Sequence, residues 1–285
     1  MRDARRTKQY FDEWLDERDE LIHQEDSIEI YYSRWEADKN GLRKLTALTS
    51  GYTELFLHDV SFMYCRGDEL AEIKRLRIDP VLDRYLFLCG EMQGHYQKHI
   101  YSLIDDCPND FYTIYTWLCW MLCFGADREK VGKITPYLCE AGKDRLLDAI
   151  ASHYEPGRDI GVGCANPKTF GLLDQLFDAE ASRYVAIVET YLEDWPVYMG
   201  QLDLGTIGIN CGTNLKSRED LIASINDNYQ GFWAWEVALV VKFFGIDDSS
   251  FRDNEFYPHD LVHFTDEFGL FNVTDSRKSD LAQRN

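Results

Sequence analysis

Apolar residues recur at helical spacing over most of this chain, and that periodicity limits its fold more than any other feature. The clearest set has members seven residues apart: Trp14, Leu21, Ile28 and Trp35. This set predicts one long amphipathic helix over about residues 8–38, and a second predicted helix ends at Arg66-Gly67. A further stripe runs from Leu82 to Leu103 and predicts a long helix that opens at Asp79-Pro80, with the aspartate as its cap. The stretch FYTIYTWLCWMLCF at 111–124 is typical of a buried helix, and no paired strands are predicted. The predicted fold is all-α.

Glycines and prolines divide the rest of the chain into shorter predicted helices. These are expected near 128–139, 143–153, 168–177, 179–193, 217–228 and 230–244. The sequence PGRDIGVGCANP at 156–167 predicts a loop and a candidate boundary. The predicted architecture is therefore a two-domain array of packed helical hairpins. Its parts are an N-terminal domain at 2–125, connecting helices at 126–154, a C-terminal domain at 155–272 and a polar tail at 273–285.

An internal repeat at an offset of 120 residues is an alternative source of this pattern. Residues Tyr112, Tyr115, Phe124-Gly125 and Tyr137 align with Phe232, Trp235, Phe244-Gly245 and Tyr257. Each copy is an aromatic helix that stops at a Phe-Gly pair. Stacked helical repeats show such patterns, and so do unrelated helices that end at glycine. The repeat leaves a helical-repeat adaptor open as a second function class.

The charge of the chain restricts its partners. It has 50 acidic and 30 basic side chains, a formal net charge of −20. Such a surface repels nucleic-acid phosphates and anionic membranes, so neither is an expected partner, whereas a basic protein would be attracted. The longest apolar run is too short to span a bilayer, no signal core follows the basic start, and the eight cysteines form no C-x-x-C pair. A cytoplasmic location with reduced thiols is expected.

The stretch FYPHDLVHF at 256–264 raises the question of a metal site. His259 and His263 stand four residues apart, as in the zinc motif H-E-x-x-H. However, Pro258 is typical of a first helical turn, where Asp260 complements the positive end of the helix. Few residues downstream could also act as the third metal ligand that such a site needs. The favoured interpretation is a capped helix anchored by Leu261, Val262 and Phe264, and a metal-dependent hydrolase is the weakest alternative.

Other patterns that could carry chemistry are incomplete. Glu91, His95 and His99 form a four-residue ladder, but a di-metal bundle requires Glu-x-x-His on two helices. The glycines of 156–167 and of GTIGINCGTN at 205–214 lack the following G-K-[ST] of a phosphate loop. The sequence does not allow a nucleophile, a general base and an orienting group to be assigned to one catalytic set. The sequence therefore predicts no catalytic residue, metal ligand, cofactor or small-molecule substrate.

An acidic turn before the histidine motif is the candidate contact region for a protein partner. It combines the carboxylates of Asp247, Asp248, Asp253 and Glu255 with the neighbouring aromatic Tyr257. Because it joins two anchored helices, we expect an exposed loop, where binding residues tend to gather. A loop that only confers solubility is the alternative for each residue.

Two stretches give the chain a family resemblance. The opening RDARRTKQYFDEW resembles the N-terminal domain of the PoNe-immunity (PoNi) family of bacteria, and FGIDDSSFRDNEFYPHDLVHF resembles its C-terminal domain, where Y-P-x-D-L recurs. The resemblance implies a non-enzymatic immunity protein. It would neutralise a cognate DNase toxin, such as a type VI secretion effector, and protect the producing cell. It also implies that Tyr257, Pro258, Asp260 and Leu261 form a structural signature.

Overall fold

The computed structural model describes residues 1–25, 55–92, 99–101, 108–202, 215–227 and 229–265, and within these ranges it contains no strand, which confirms an all-α fold. The helices are α1 (Lys8–Glu25), α2 (Leu55–Arg66), α3 (Leu70–Ile73), α4 (Asp79–Met92), α5 (Pro108–Cys123), α6 (Arg128–Leu138), α7 (Arg145–Ala151), α8 (Pro167–Asp174), α9 (Tyr184–Met199), α10 (Arg218–Ala223), α11 (Trp235–Phe244) and α12 (His259–His263). Short 3₁₀ turns occupy Gln175–Phe177 and Ala181–Arg183.

The first two described helices pack against each other. Helix α1 packs on α2, with Phe11 and Leu15 buried in the core and the Phe11 ring against that of Phe62. The buried Arg18 of α1 pairs with the buried Asp59 of α2. Helix α2 ends where the sequence predicts, because Gly67 follows it with a φ of 93°, a conformation that glycine adopts without strain. The rest of the predicted long helix, beyond residue 25, lies outside the described residues.

Helix α4 begins at the predicted Asp79-Pro80, but Asp79 is not a cap that opens it. Helix α3 runs directly into a π-helical turn, Lys74–Ile78, and that turn runs into α4, so Asp79 already has helical dihedral angles. A proline inside a helix lacks the N–H that would bond to the preceding turn. The π turn changes the bonding pattern just before Pro80, and the chain therefore stays helical through it.

The same helix also ends before the predicted residue. The stripe was expected to reach Leu103, but residues 99–101 are not helical. Instead, the N–H groups of Ile100 and Tyr101 donate to the carbonyls of Tyr137 and Leu138, at the end of α6. His99 thus does not continue a helical ladder with Glu91. His95 lies outside the described residues.

The pair α5–α11 lies in the core of the described structure. These two helices make the most extensive contact between described elements, and both are mostly buried. Trp120 of α5 meets Trp235 of α11 edge to face, with ring centroids 5.5 Å apart. The two helices are corresponding members of the predicted repeat, and each is followed by a glycine with positive φ, Gly125 and Gly245. The repeat itself remains a prediction.

Several predicted boundaries after α5 are close to the observed ones because capping residues set them. Asp127 accepts a hydrogen bond from the N–H of Lys130 and begins α6. Asp144 begins α7 and Ser217 begins α10 in the same way, each accepting from an N–H three residues later. The chain from 152 to 166 is not helical, as predicted for the glycine-rich stretch.

One hydrophobic cluster extends through both predicted domains. It includes Phe11, Trp117, Leu147, Trp195 and Leu239. Helix α5 of the predicted N-terminal domain buries its side chains against α11 of the predicted C-terminal domain, so the two halves share a core. The division into two domains stays a prediction. In the part of the chain that the structure describes, no helix combines the length and apolarity needed to cross a membrane.

Candidate functional site

The histidine motif forms a short helix whose apolar side enters the core. Tyr257, Leu261 and Val262 are buried, and Leu261 is fully enclosed. Pro258 is buried as well, but it lies immediately before the helix, with φ −83° and ψ 66°, and does not occupy its first turn. The predicted position of Pro258 is therefore off by one residue. Helix α12 ends at His263.

Asp260 makes contacts beyond the one expected. Its carboxylate accepts hydrogen bonds from the Nε of Arg2 and from the hydroxyl of Tyr64, and one oxygen lies 2.9 Å from the backbone nitrogen of Leu261. The guanidinium of Arg2 also lies over the Tyr64 ring, 4.6 Å from its centroid. Asp260 thus does more than complement the helix end, because it fastens α12 to the start of the chain and to α2.

The two histidines of the motif lie in different surroundings and do not converge on one site. His263 Nε2 lies 2.7 Å from Asp248 Oδ2, whereas His259 is exposed on the rim of a different feature, the cleft described below. The described residues include no group of three His, Cys, Asp or Glu side chains placed to hold a metal ion. The absence of a metal remains a prediction, and elemental analysis would check it.

The acidic turn at 247–255, here called the acidic loop, is held from within by Asp248, which is only 2% exposed. Its carboxylate accepts hydrogen bonds from Arg252, at 2.6 Å, and from the hydroxyl of Tyr257, at 3.1 Å. Burial alone would raise the pKa of Asp248, but the hydrogen bonds from Arg252, His263 and Tyr257 hold it below its usual value. Asp248 and Tyr257 therefore shape the loop from inside. The expectation of an exposed loop does not hold for Asp248, and the neighbouring Tyr257 is buried as well.

The other three predicted contact residues lie at the surface. Asp247 and Asp253 are exposed. Glu255 is shared by two arginines, since Arg5 donates to it at 2.5 Å and Arg218 donates to both of its oxygens. Burial alone would raise the pKa of Glu255, but these arginines hold it below its usual value. The uncompensated negative charge of this loop is thus concentrated on Asp247 and Asp253.

A surface cleft of about 300 Å³ lies beside the acidic loop. Its lining includes Tyr64, Trp233, Asp253, Glu255, His259 and Asp260. The cleft forms where the acidic loop meets α2 and the first residues of the chain. The structure therefore brings together Asp253, Glu255, Tyr257 and Asp260 of the predicted residues around one concave surface, but leaves Asp247 outside its lining.

Residues 1–7, here called the N-terminal arm, complete this region and were not predicted to do so. Besides the contacts of Arg2, the N–H groups of Arg2 and Asp3 donate to the carbonyl of Cys65. The buried carboxylate of Asp3 accepts a 2.5 Å hydrogen bond from Tyr229, and Arg6 donates to the carbonyl of Asn226. The arm thus binds both halves of the chain. In the sequence, the resemblance of RDARR to a family motif draws attention to these residues, but it does not give their contacts.

Glu236 of α11 is a carboxyl group enclosed in the core, at 0% exposure. Its Oε1 accepts hydrogen bonds from Trp195, at 2.7 Å, and from Tyr191, at 3.1 Å, while its Oε2 has no hydrogen-bond partner among the described residues. Burial raises the pKa of Glu236 to about 7. Because the group is enclosed, it has no access to a substrate, and its effect is on stability.

Comparison with known proteins agrees with the resemblance. The family model described as PoNe immunity proteins (PoNi), C-terminal, matches residues 142–261, which confirms the predicted resemblance to this family over that part of the chain. The crystal structure of protein PA2201 from Pseudomonas aeruginosa is similar, with a TM-score of 0.62 and 18% identity over 88% of this chain and 87% of that chain. At that identity the likeness shows the fold alone. No curated protein matches the chain.

Proposed function

Because residues 142–261 match the C-terminal family of PoNe immunity proteins, we propose that this chain binds a cognate DNase toxin and neutralises it. The family match is the observation that carries this proposal. The toxin would be a type VI secretion effector, and the immunity protein would meet it in the cytoplasm of the producing cell. The chain would act by binding and not by catalysis.

The charge of the molecule supports a basic partner. A DNase must present cationic groups to DNA phosphates, and a protein of net charge −20 attracts the same groups. Within the predicted contact region, Asp247 and Asp253 carry the exposed charge, while Glu255 is already paired with Arg5 and Arg218. We expect Asp247 and Asp253 to steer the encounter, since exposed charges at the rim of an interface mainly set the association rate.

The experiment uses the nuclease encoded next to the gene for this chain. Co-expression should restore growth of cells that produce the toxin, and purified chain should inhibit DNA cleavage. Association is then measured at rising salt for the natural protein and for the double variant Asp247→Asn/Asp253→Asn. The matched control is Asp16→Asn/Glu17→Gln, because these α1 residues are also exposed and the charge change is equal.

The double variant at 247 and 253 should bind more slowly at low salt, and the difference should shrink as salt screens the charges. Equal slowing by the α1 control would show that total charge, and not this loop, steers the toxin. If the adjacent nuclease neither binds nor is inhibited, the immunity function itself is wrong.

A further inference from the structure

The loop at 156–166, here called the apolar loop, displays aliphatic side chains to solvent. Val162 is fully exposed and Ile160 is 44% exposed, and apart from Met1 they are the large hydrophobic side chains exposed in the described residues. Most other described aliphatic and aromatic side chains are buried or packed against the core. Two such side chains, separated by one residue in a single loop, distinguish this surface from the rest of the described residues.

A buried ion pair holds this loop in place. Arg158 and Asp148 are each 1% exposed at their side chains, with Arg158 Nε 2.8 Å from Asp148 Oδ1. The other carboxylate oxygen, Asp148 Oδ2, accepts hydrogen bonds from the N–H groups of Gly142, Asp144 and Gly161. The residue between Ile160 and Val162 is therefore fixed directly to the core carboxylate.

A second buried carboxylate fixes the far side of the loop. Asp144 Oδ2 accepts a hydrogen bond from the N–H of Ala165, and Oδ1 accepts from Tyr115 at 2.7 Å. The carbonyl of Gly163 accepts from the N–H of Arg145. These bonds on both sides of the loop mean that Ile160 and Val162 are presented in a pre-organised conformation, so that binding through them costs little ordering entropy.

The charges around the apolar loop indicate which kind of molecule covers it. Arg158 is buried and neutralised by Asp148 and Glu155, so the exposed charged side chain of the loop is Asp159. A second copy of this chain would bring another net charge of −20, and an anionic lipid surface would be repelled in the same way. An apolar loop next to a carboxylate, on a strongly acidic protein, fits a cationic protein partner.

We propose that the apolar loop is an anchor of the toxin interface, with Ile160 and Val162 packing into an apolar depression of the nuclease and Asp159 facing its cationic groups. This inference rests on the proposed function and adds to it a contact far along the chain from the acidic loop. The two surfaces have different roles in binding. The acidic loop raises the association rate, and the apolar loop slows dissociation.

The test is the double variant Ile160→Ser/Val162→Ser, measured against the catalytically inactive form of the adjacent nuclease. Because both side chains are exposed and neither makes the bonds that fix the loop, the melting temperature should stay unchanged. The dissociation rate should rise roughly tenfold or more, since burial of even one aliphatic side chain contributes about that factor. The association rate should change little. The matched control is Ala181→Ser, which changes an exposed apolar residue outside the loop and leaves the charge unaltered.

Each other outcome overturns the inference in a recognisable way. If the natural protein binds the nuclease and the double variant dissociates at the same rate, the apolar loop is not an anchor, although the immunity function stands. If the natural protein forms dimers that the double variant lacks, a second copy covers the loop. If the natural protein does not bind the nuclease at all, both the function and this inference fail.

Discussion

Arg2 and Asp260 form an ion pair across 258 positions of the chain, and the hydroxyl of Tyr64 donates to the same carboxylate. This contact joins the N-terminal arm, helix α2 and helix α12 at one point. The side chains of the pair are 21% and 31% exposed, so it is partly shielded from solvent. Next to it, Arg5 binds Glu255 and thereby ties the arm to the acidic loop as well. The acidic loop, which is part of the proposed toxin interface, is therefore held in place by contacts with the N-terminal arm.

Removal of either member of this pair should destabilise the protein. Arg2→Ala and Asp260→Ala should each lower the free energy of unfolding by about 1–3 kcal/mol, because each leaves hydrogen-bonding groups without a partner. The double variant should cost less than the sum of the two single variants, since the partners are removed together. Urea denaturation measures all three. Lys8→Ala is the control, because its pair with Asp12 is mostly exposed and should contribute less than about 1 kcal/mol. Strictly additive losses would mean that the pair is not coupled.

The two faces of α12 provide a second test. Leu261 is fully buried and should cost about 2–5 kcal/mol of unfolding free energy when replaced by alanine. His259, two residues earlier, is exposed, and His259→Ala should leave the melting temperature within about one degree of the natural protein. Thermal denaturation of both variants distinguishes a structural signature from a metal site. Loss of a bound metal together with stability in His259→Ala would contradict the structural interpretation.

The sequence predicted local structure well wherever the cause was local. Helical periodicity identified α5 and α11, and the predicted helix starts near 128 and 217 lie within one residue of those of α6 and α10, where the structure shows Asp127 and Ser217 as caps. The start of α4 at Asp79 was predicted, but the π turn that precedes it was not, and that turn gives Asp79 helical dihedral angles in place of a cap conformation. A π turn has no short sequence signal comparable to a cap, so these residues alone could not predict it.

The candidate site was predicted in part for the same reason. The acidic loop and its neighbour Tyr257 could be found from composition and order, and they do lie together. The burial of Asp248 could not be found, because it depends on Arg252, Tyr257 and His263 folding around it. The contacts of the N-terminal arm with α12 and with Tyr229 join residues more than 200 positions apart. The exposure of the apolar loop was also missed, because two β-branched residues among glycines do not show by themselves whether they enter the core.

The support of the apolar loop can be tested with two glycines that differ in their surroundings. A Cβ at Gly161 would lie 2.8 Å from the backbone nitrogen of Asp144, whereas a Cβ at Gly163 would meet nothing within 4 Å. Gly161→Ala should therefore cost about 1–3 kcal/mol of unfolding free energy through steric strain, and Gly163→Ala should be nearly neutral. Chemical denaturation gives both values. Equal effects of the two substitutions would show that the loop does not lie close to Asp144.

The buried carboxyl group of Glu236 should make stability depend on pH in a specific direction. Its pKa in the folded protein is about 7, above the ordinary value of 4.5, so the folded state holds a proton over that range which the unfolded state releases. Stability from this group is therefore fully present below about pH 4.5, falls as pH rises, and stays low above about pH 7.

The variant Glu236→Gln removes this titration while keeping a side-chain oxygen to accept from Trp195 and Tyr191. Other buried carboxyl groups, such as Asp144, also have a raised pKa, so the quantity to follow is the difference between the variant and the natural protein. From about pH 4.5 to about pH 8, that difference in unfolding free energy should shift in favour of the variant by roughly 3 kcal/mol. Urea denaturation at several pH values measures it. A difference that does not change with pH would mean that the pKa of Glu236 is the same in the folded and unfolded states, and that its carboxyl group is not held in an apolar core.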